Sequence, residues 1–103
     1  MTETLAEAFD RDRRLVILRL LAAQDGYSLS ASMLVKAVRE LRHRVYADVI
    51  ESDLVLLEQH RLLTRETLEL DGSKLTFATL TKLGLDVAQG RPHPFVDRPS
   101  PKG

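Results

Sequence analysis

Between Asp53 and Leu80 the hydrophobic period of the chain changes once and the chain then turns back on itself, which restricts the fold more than any other stretch. The segment Asp53-Leu54-Val55-Leu56-Leu57-Glu58 belongs to an amphipathic helix expected over about Ala47 to His60. Val49 or Ile50, Leu54 and Leu57 form its inward stripe, with help from Leu56. With no spacer it runs into a strand over Leu62–Thr67. Asp71-Gly72 is the signal for a tight hairpin turn, and a further strand follows over Lys74–Leu80, in which Leu75, Phe77 and Thr79 alternate.

Two helices precede this unit. The first is expected over about Thr4 to Ala23. From Leu15 to Ala23 its apolar residues go almost all the way round, so it sits central in the fold or forms a dimer seam. Leu5, Phe9, Leu15 and Leu18 are the candidate dimer residues, and the charges of Asp10-Arg11-Asp12-Arg13-Arg14 are read as a solvated face. Gly26 is expected to cap the helix in a left-handed conformation. Tyr27-Ser28-Leu29 reads as a short extended link, and Ser30 or Ser32 as the cap of a second helix over about Ala31 to Leu41. A short final helix is expected within Leu80–Gly90, capped by Thr79 or Thr81. The four prolines, Pro92, Pro94, Pro99 and Pro101, all lie after Gly90. They divide the chain into a domain over 1–90 and a Pro-rich, flexible tail over 91–103, in which only Phe95 and Val96 could dock on a surface.

Composition narrows the function. With no cysteine, thiol catalysis, disulfides and thiolate metal sites are excluded. His43, His60 and His93 are too scattered for a metal motif, so no metal and no cofactor is expected. No nucleophile elbow, phosphate loop or dinucleotide glycine pattern is present, and Asp48, Glu51, Asp53 and Glu58 read as one solvated helix face rather than an acid/base pair. The chain is not expected to be an enzyme. The longest apolar run, Leu15 to Ala23, is interrupted by Arg19 and is far short of the ~20 residues of a membrane span. The first residues carry Glu3 and Glu7 and no basic segment, so no signal peptide is expected.

Recognition remains. Lys plus Arg equals Asp plus Glu at 15 each, so the distribution of charge decides, not its sum. From Ala47 to His60 there are four acids and no Lys or Arg. Carboxylates facing phosphates repel, the more so as water is excluded. Basic residues flank the helix instead: Arg39, Arg42 and Arg44 before it, Arg61 and Arg65 after it, and Lys74 by the turn. Two readings stay open for the group before the helix, a grip on a phosphate backbone or a complement to the negative end of the second helix. Tyr46 could likewise touch nucleic acid or pack over the turn as a staple.

The order of elements resembles the winged-helix superfamily, a mainly α fold with a small antiparallel sheet (α+β) built round a helix-turn-helix. The segment Ser52 to Leu63 is similar to the D-L-x-x-L-E-x-x-G-L-V stretch of many bacterial regulators, and Leu80 to Ala88 to their L-T-x-x-G-x-x-x-A ending. A closer resemblance is to a family of small Mu-like phage and prophage proteins often labelled ArsR-like transcriptional regulators. It rests on R-L-V-I-L-R-L-L-A (Arg14 to Ala22), Gly26-Tyr27, His43 to Val45, L-T-x-x-G-L-D-V-A-x-G (Leu80 to Gly90) and R-P-S-P (Arg98 to Pro101). Two departures stand out. Arg61 replaces the glycine after the third helix, where a left-handed L residue costs ~1 kcal/mol, so a different turn is expected. Glu51-Ser52 stands where many regulators are basic. The metal-binding cysteines and histidines of true ArsR repressors are absent, and no metal site is implied.

The resemblance implies a phage or prophage DNA-binding regulator in the cytoplasm of a bacterial host cell. On this reading it is a homodimer through helix one, with Arg42, Arg44, Tyr46 and Ser52 at the reading helix and Arg65 and Lys74 as wing contacts to phosphate. The alternative is an adaptor that binds a phage or host protein through its acidic third helix and the tail with Phe95, in which deletion of 91–103 leaves the fold intact.

Overall fold

Thr4 fixes the start of the first helix. Its hydroxyl accepts the Glu7 N–H at 3.1 Å, and the Glu7 carboxylate accepts the Thr4 N–H at 2.9 Å. Two otherwise unpaired donors are thereby satisfied, and the same contacts pull the Glu7 carboxyl below its usual pKa. Helix α1 runs Leu5–Ala22. In this computed structural model, which describes residues 2–41 and 44–100, there follow β1 (Ser28–Ser30), α2 (Ala31–Glu40), α3 (Ala47–Gln59), β2 (Leu63–Leu70), β3 (Ser73–Leu80) and α4 (Lys82–Ala88). The fold is mainly α with a three-stranded antiparallel sheet in the order β1-β3-β2, the arrangement expected of a winged helix-turn-helix.

The hairpin is longer than its sequence pattern indicates. Beyond Thr67, Leu68 pairs with Leu75, Glu69 with Lys74 and Leu70 with Ser73. A two-residue turn closes it, with Asp71 at φ 49 and Gly72 at φ 79, the left-handed pair that matches strand twist. Helix α1, by contrast, ends before Gly26. The Ala23 and Gln24 N–H groups bond the Arg19 and Leu21 carbonyls, and the Gln24 side chain bonds that of Leu20. The helix carbonyls are satisfied by then, so Gly26 (φ 76) serves a short 3-10 turn over Asp25–Tyr27.

Helix α1 is central. Ile17, Leu18 and Leu21 are wholly buried against Leu34 and Val38 of α2, Ile50, Leu54 and Leu57 of α3, and Ala78 and Leu80 of β3. This explains apolar residues on every side of the helix. It also corrects the expected dimer set: Leu15 (5% exposed) and Leu18 (0%) belong to the protein's own core. Leu5 and Phe9 stay outside, 71% and 57% exposed.

Two close backbone approaches join the hairpin to its neighbours. Arg61 takes the left-handed conformation (φ 62). Its N–H bonds the Glu58 carbonyl and that of Leu62 bonds the Leu57 carbonyl, both at 2.9 Å. The turn that glycine would make is therefore kept, with an arginine holding it. At the other end Thr81 caps α4 through the Gly84 N–H, and its own N–H bonds the Leu62 carbonyl. A Cβ on Gly84 would lie 1.9 Å from that carbonyl oxygen, so the position has no room for a side chain.

The segment after Gly90 is anchored, in contrast to the free tail that its composition indicates. Val96 is completely buried. The Asp97 N–H bonds the Arg11 carbonyl at 3.1 Å, and the Arg11 side chain returns a bond to the Val96 carbonyl at 3.3 Å. Among the described residues no helix is long and apolar enough to cross a membrane.

Candidate nucleic-acid interface

Of the residues that sequence reasoning assigns to recognition, Ser52 lies on α3 and Tyr46 caps it, and a buried ion pair ties this helix to α1. Asp53 is 1% exposed and Arg13 7%. The two side chains meet in a two-pronged contact, Nε to Oδ2 and Nη2 to Oδ1, the latter at 2.9 Å. Arg14 adds a bond from its Nε to Asp53 Oδ1 at 3.0 Å. Hydrogen bonding to Asp53 holds the Arg13 guanidinium protonated, against the opposing pull of burial. A buried carboxylate left unpaired would be very costly, so this contact fixes how α3 sits against α1.

The sequence pattern places both residues on solvated faces, and the structure corrects that. The signal lay in the spacing. Arg13 is four residues before Ile17 and eight before Leu21, both wholly buried, and Asp53 lies between Ile50 and Leu57 on the inward side of α3. Opposite charges at buried positions of two helices indicate a pair that meets.

Two further carboxylates of α3 are also engaged. Arg65 of β2 bonds Glu51 Oε1 through Nη1 at 2.6 Å and Glu58 Oε1 through Nε at 3.0 Å. Its backbone N–H takes Glu58 Oε2 at 3.0 Å. Three of the four acids on α3 are thus tied to arginines of the same chain. Asp48 is exposed and makes no ion pair among the described residues. It lies in the first turn of a helix whose capping residue, Tyr46, makes no side-chain cap, and there its charge complements the helix dipole.

The expected site residues separate accordingly. Arg44 is exposed, Tyr46 is 76% exposed, and Ser52 lies on the outer face of α3. Tyr46 is therefore largely open to solvent, which speaks against the staple reading. Arg42 lies outside the described residues. Arg65 is turned inward to α3 instead of projecting from the wing. Lys74 is exposed, but it sits opposite Glu69 in the strand register. The wing carries Glu66 at mid-strand and Glu69 and Asp71 near its tip against that one lysine, which makes it poorly suited to phosphate. A groove of about 470 Å³ lies between the starts of α2 and α3 and the wing, lined by Ser30, Ser32, Asp48, Glu51, Lys74 and Thr76 among others. Arg39 crosses the turn between the helices, its Nε bonding the Val45 carbonyl at 3.0 Å, which favours its structural reading.

At the far end of α3 the tail returns. The rings of His60 and His93 meet edge to face with centroids 5.1 Å apart, and Phe95 lies 4.9 Å from His60. The Phe95 N–H donates to His93 Nδ1 at 3.1 Å, and Arg14 Nη1 donates to the Phe95 carbonyl at 3.2 Å. Burial, and secondarily the neighbouring His60, push the His93 pKa below its ordinary value. Among the described residues no group of three or more His, Cys, Asp or Glu is gathered that could hold a metal ion. Comparison with known protein families and with curated proteins finds no match for this chain.

Proposed function

We propose that the protein is a winged-helix DNA-binding protein, a transcriptional regulator of the phage type that its sequence resembles, acting in the bacterial cytoplasm. One observation carries this reading. Ser52 and the capping Tyr46 are exposed on the first half of α3, and Arg44 is exposed two residues before the cap, while Asp53, Glu51 and Glu58 are each compensated by arginines of the same chain. The helix therefore approaches phosphate with Asp48 as its one carboxylate without an ion pair among the described residues, which weakens the charge objection to a major-groove role. Arg44 holds the backbone, and the start of α3 lies along the base edges. The acidic wing takes little part.

The test is a titration against phage DNA at low salt. Binding is expected to weaken steeply as salt rises, and Arg44→Ala to weaken it for all sequences alike. No binding at micromolar protein would overturn the proposal. A second reading, a protein adaptor, is favoured by a different surface: the exposed Leu68, Leu70 and Leu75 lie on a wing rimmed by Glu66, Glu69 and Asp71. It would gain ground if DNA binding failed while wing substitutions abolished capture of a protein partner.

A further inference from the structure

We infer that Arg65 is a positioning residue for DNA binding, an internal counter-ion that makes α3 acceptable to phosphate, and not itself a phosphate contact. The inference rests on the DNA-binding reading above and assigns Arg65 a role opposite to the one its place beside the wing suggests.

The geometry is specific. Arg65 is the third residue of β2, and its side chain lies on the same sheet face as Leu63 and Ala78, the buried face. From there it reaches back over α3 and spans two of its turns, touching Glu58 near the helix end and Glu51 seven residues earlier. The Arg65 backbone N–H also holds Glu58, so Glu58 is gripped by main chain and side chain together. Three donors of one residue are thereby committed to two carboxylates, and none of the three is directed to solvent. Glu51 is the exposed member, and it stands one residue from Ser52 on the helix that this reading brings to nucleic acid. An uncompensated carboxylate there would repel phosphate across a water-poor gap. Arg65 cancels it from the protein side.

A direct phosphate contact and an internal counter-ion differ in one measurable respect. A direct contact costs the same when removed whatever the charge at positions 51 and 58. A counter-ion matters only while the carboxylates are charged. The experiment is therefore a cycle of variants: wild type, Arg65→Ala, Glu51→Gln with Glu58→Gln, and all three changes together. Each is titrated against phage DNA over a range of salt, and thermal melting establishes that each is folded. Arg65→Ala alone is expected to weaken binding on the order of tenfold at low salt. In the background that already carries Glu51→Gln and Glu58→Gln, the same change is expected to alter affinity by less than about twofold and to leave the salt slope unmoved. Arg65→Lys, which keeps the charge without the fork, is expected to stay close to wild type.

An equal loss from Arg65→Ala on both backgrounds, with the salt slope reduced by about one on each, would overturn the inference and restore Arg65 as a phosphate contact. Wild-type protein that fails to bind DNA at all would overturn the functional proposal and this inference with it. Wild-type binding that Arg65→Ala leaves unchanged would overturn this inference alone.

Discussion

Arg61 occupies a left-handed turn position that suits glycine, and it does so without changing the turn. The cost of that conformation for an L residue is ~1 kcal/mol, and the exposed side chain makes no hydrogen bond or ion pair among the described residues that would offset it. Arg61→Gly is therefore expected to stabilise the fold by about 1 kcal/mol less the extra chain freedom glycine brings to the unfolded state, and urea unfolding will measure it. A decrease in the midpoint would mean that the arginine is retained for a contact outside the native turn. Local patterns identify this position as a turn, yet not its conformation: a missing glycine suggests a different turn, whereas the bonds from Arg61 and Leu62 back into α3 hold the chain to the same one. The Arg13–Asp53 pair was hidden for another reason. A charge on a helix is solvated by default, and only the joint placement of both residues on buried stripes betrays the contact.

At the scale of elements, the helices and the hairpin were readable because each has a clear period and a capping or turn residue at its ends. The tail was not. Four prolines dominate its composition, and a single buried valine outweighs them by completing the core against α1. Deleting 91–103 consequently removes core surface, and the expectation that the fold would survive it untouched gives way. The His93 contact adds a dependence on pH. Its Nδ1 accepts the Phe95 N–H, which only the unprotonated ring can do. The folded pKa lies below the ordinary 6.5, so as pH falls through 6.5 the unfolded chain takes up the proton first and stability is lost until the folded pKa is passed. Melting temperature is expected to fall as pH drops from neutrality through 6.5, and His93→Gln to flatten that part of the curve. His60, which follows α3, opposes the proton, while Asp97 is the one acid among residues 91–100. An unchanged slope in the variant would assign the effect to other groups.

For the molecule as a whole, equal numbers of acidic and basic groups conceal a division of labour. Arg13, Arg14 and Arg65 face inward to acids of the same chain, and the outward wing is acidic. That arrangement was illegible in sequence, because Arg65 and Glu51 are brought together only when the hairpin folds against α3. The same scale bears on assembly. With Leu15 and Leu18 taken by the core, only Leu5 and Phe9 of the expected seam remain as apolar groups for a second copy. If the protein dimerises through α1, Leu5→Lys with Phe9→Lys is expected to shift the molar mass in light scattering from dimer to monomer at matched concentration. A dimer that persists would place the seam elsewhere.

Arg14 stands at a junction that neither helix nor tail would reach alone. Its Nε binds Asp53 and its Nη1 binds the Phe95 carbonyl, so α3 and the docked tail share one planar group. Such a group cannot tilt toward one partner without leaving the other. Removing that guanidinium would thus release two contacts at once, one on α3 and one on the tail, remote in sequence yet one side chain apart in space.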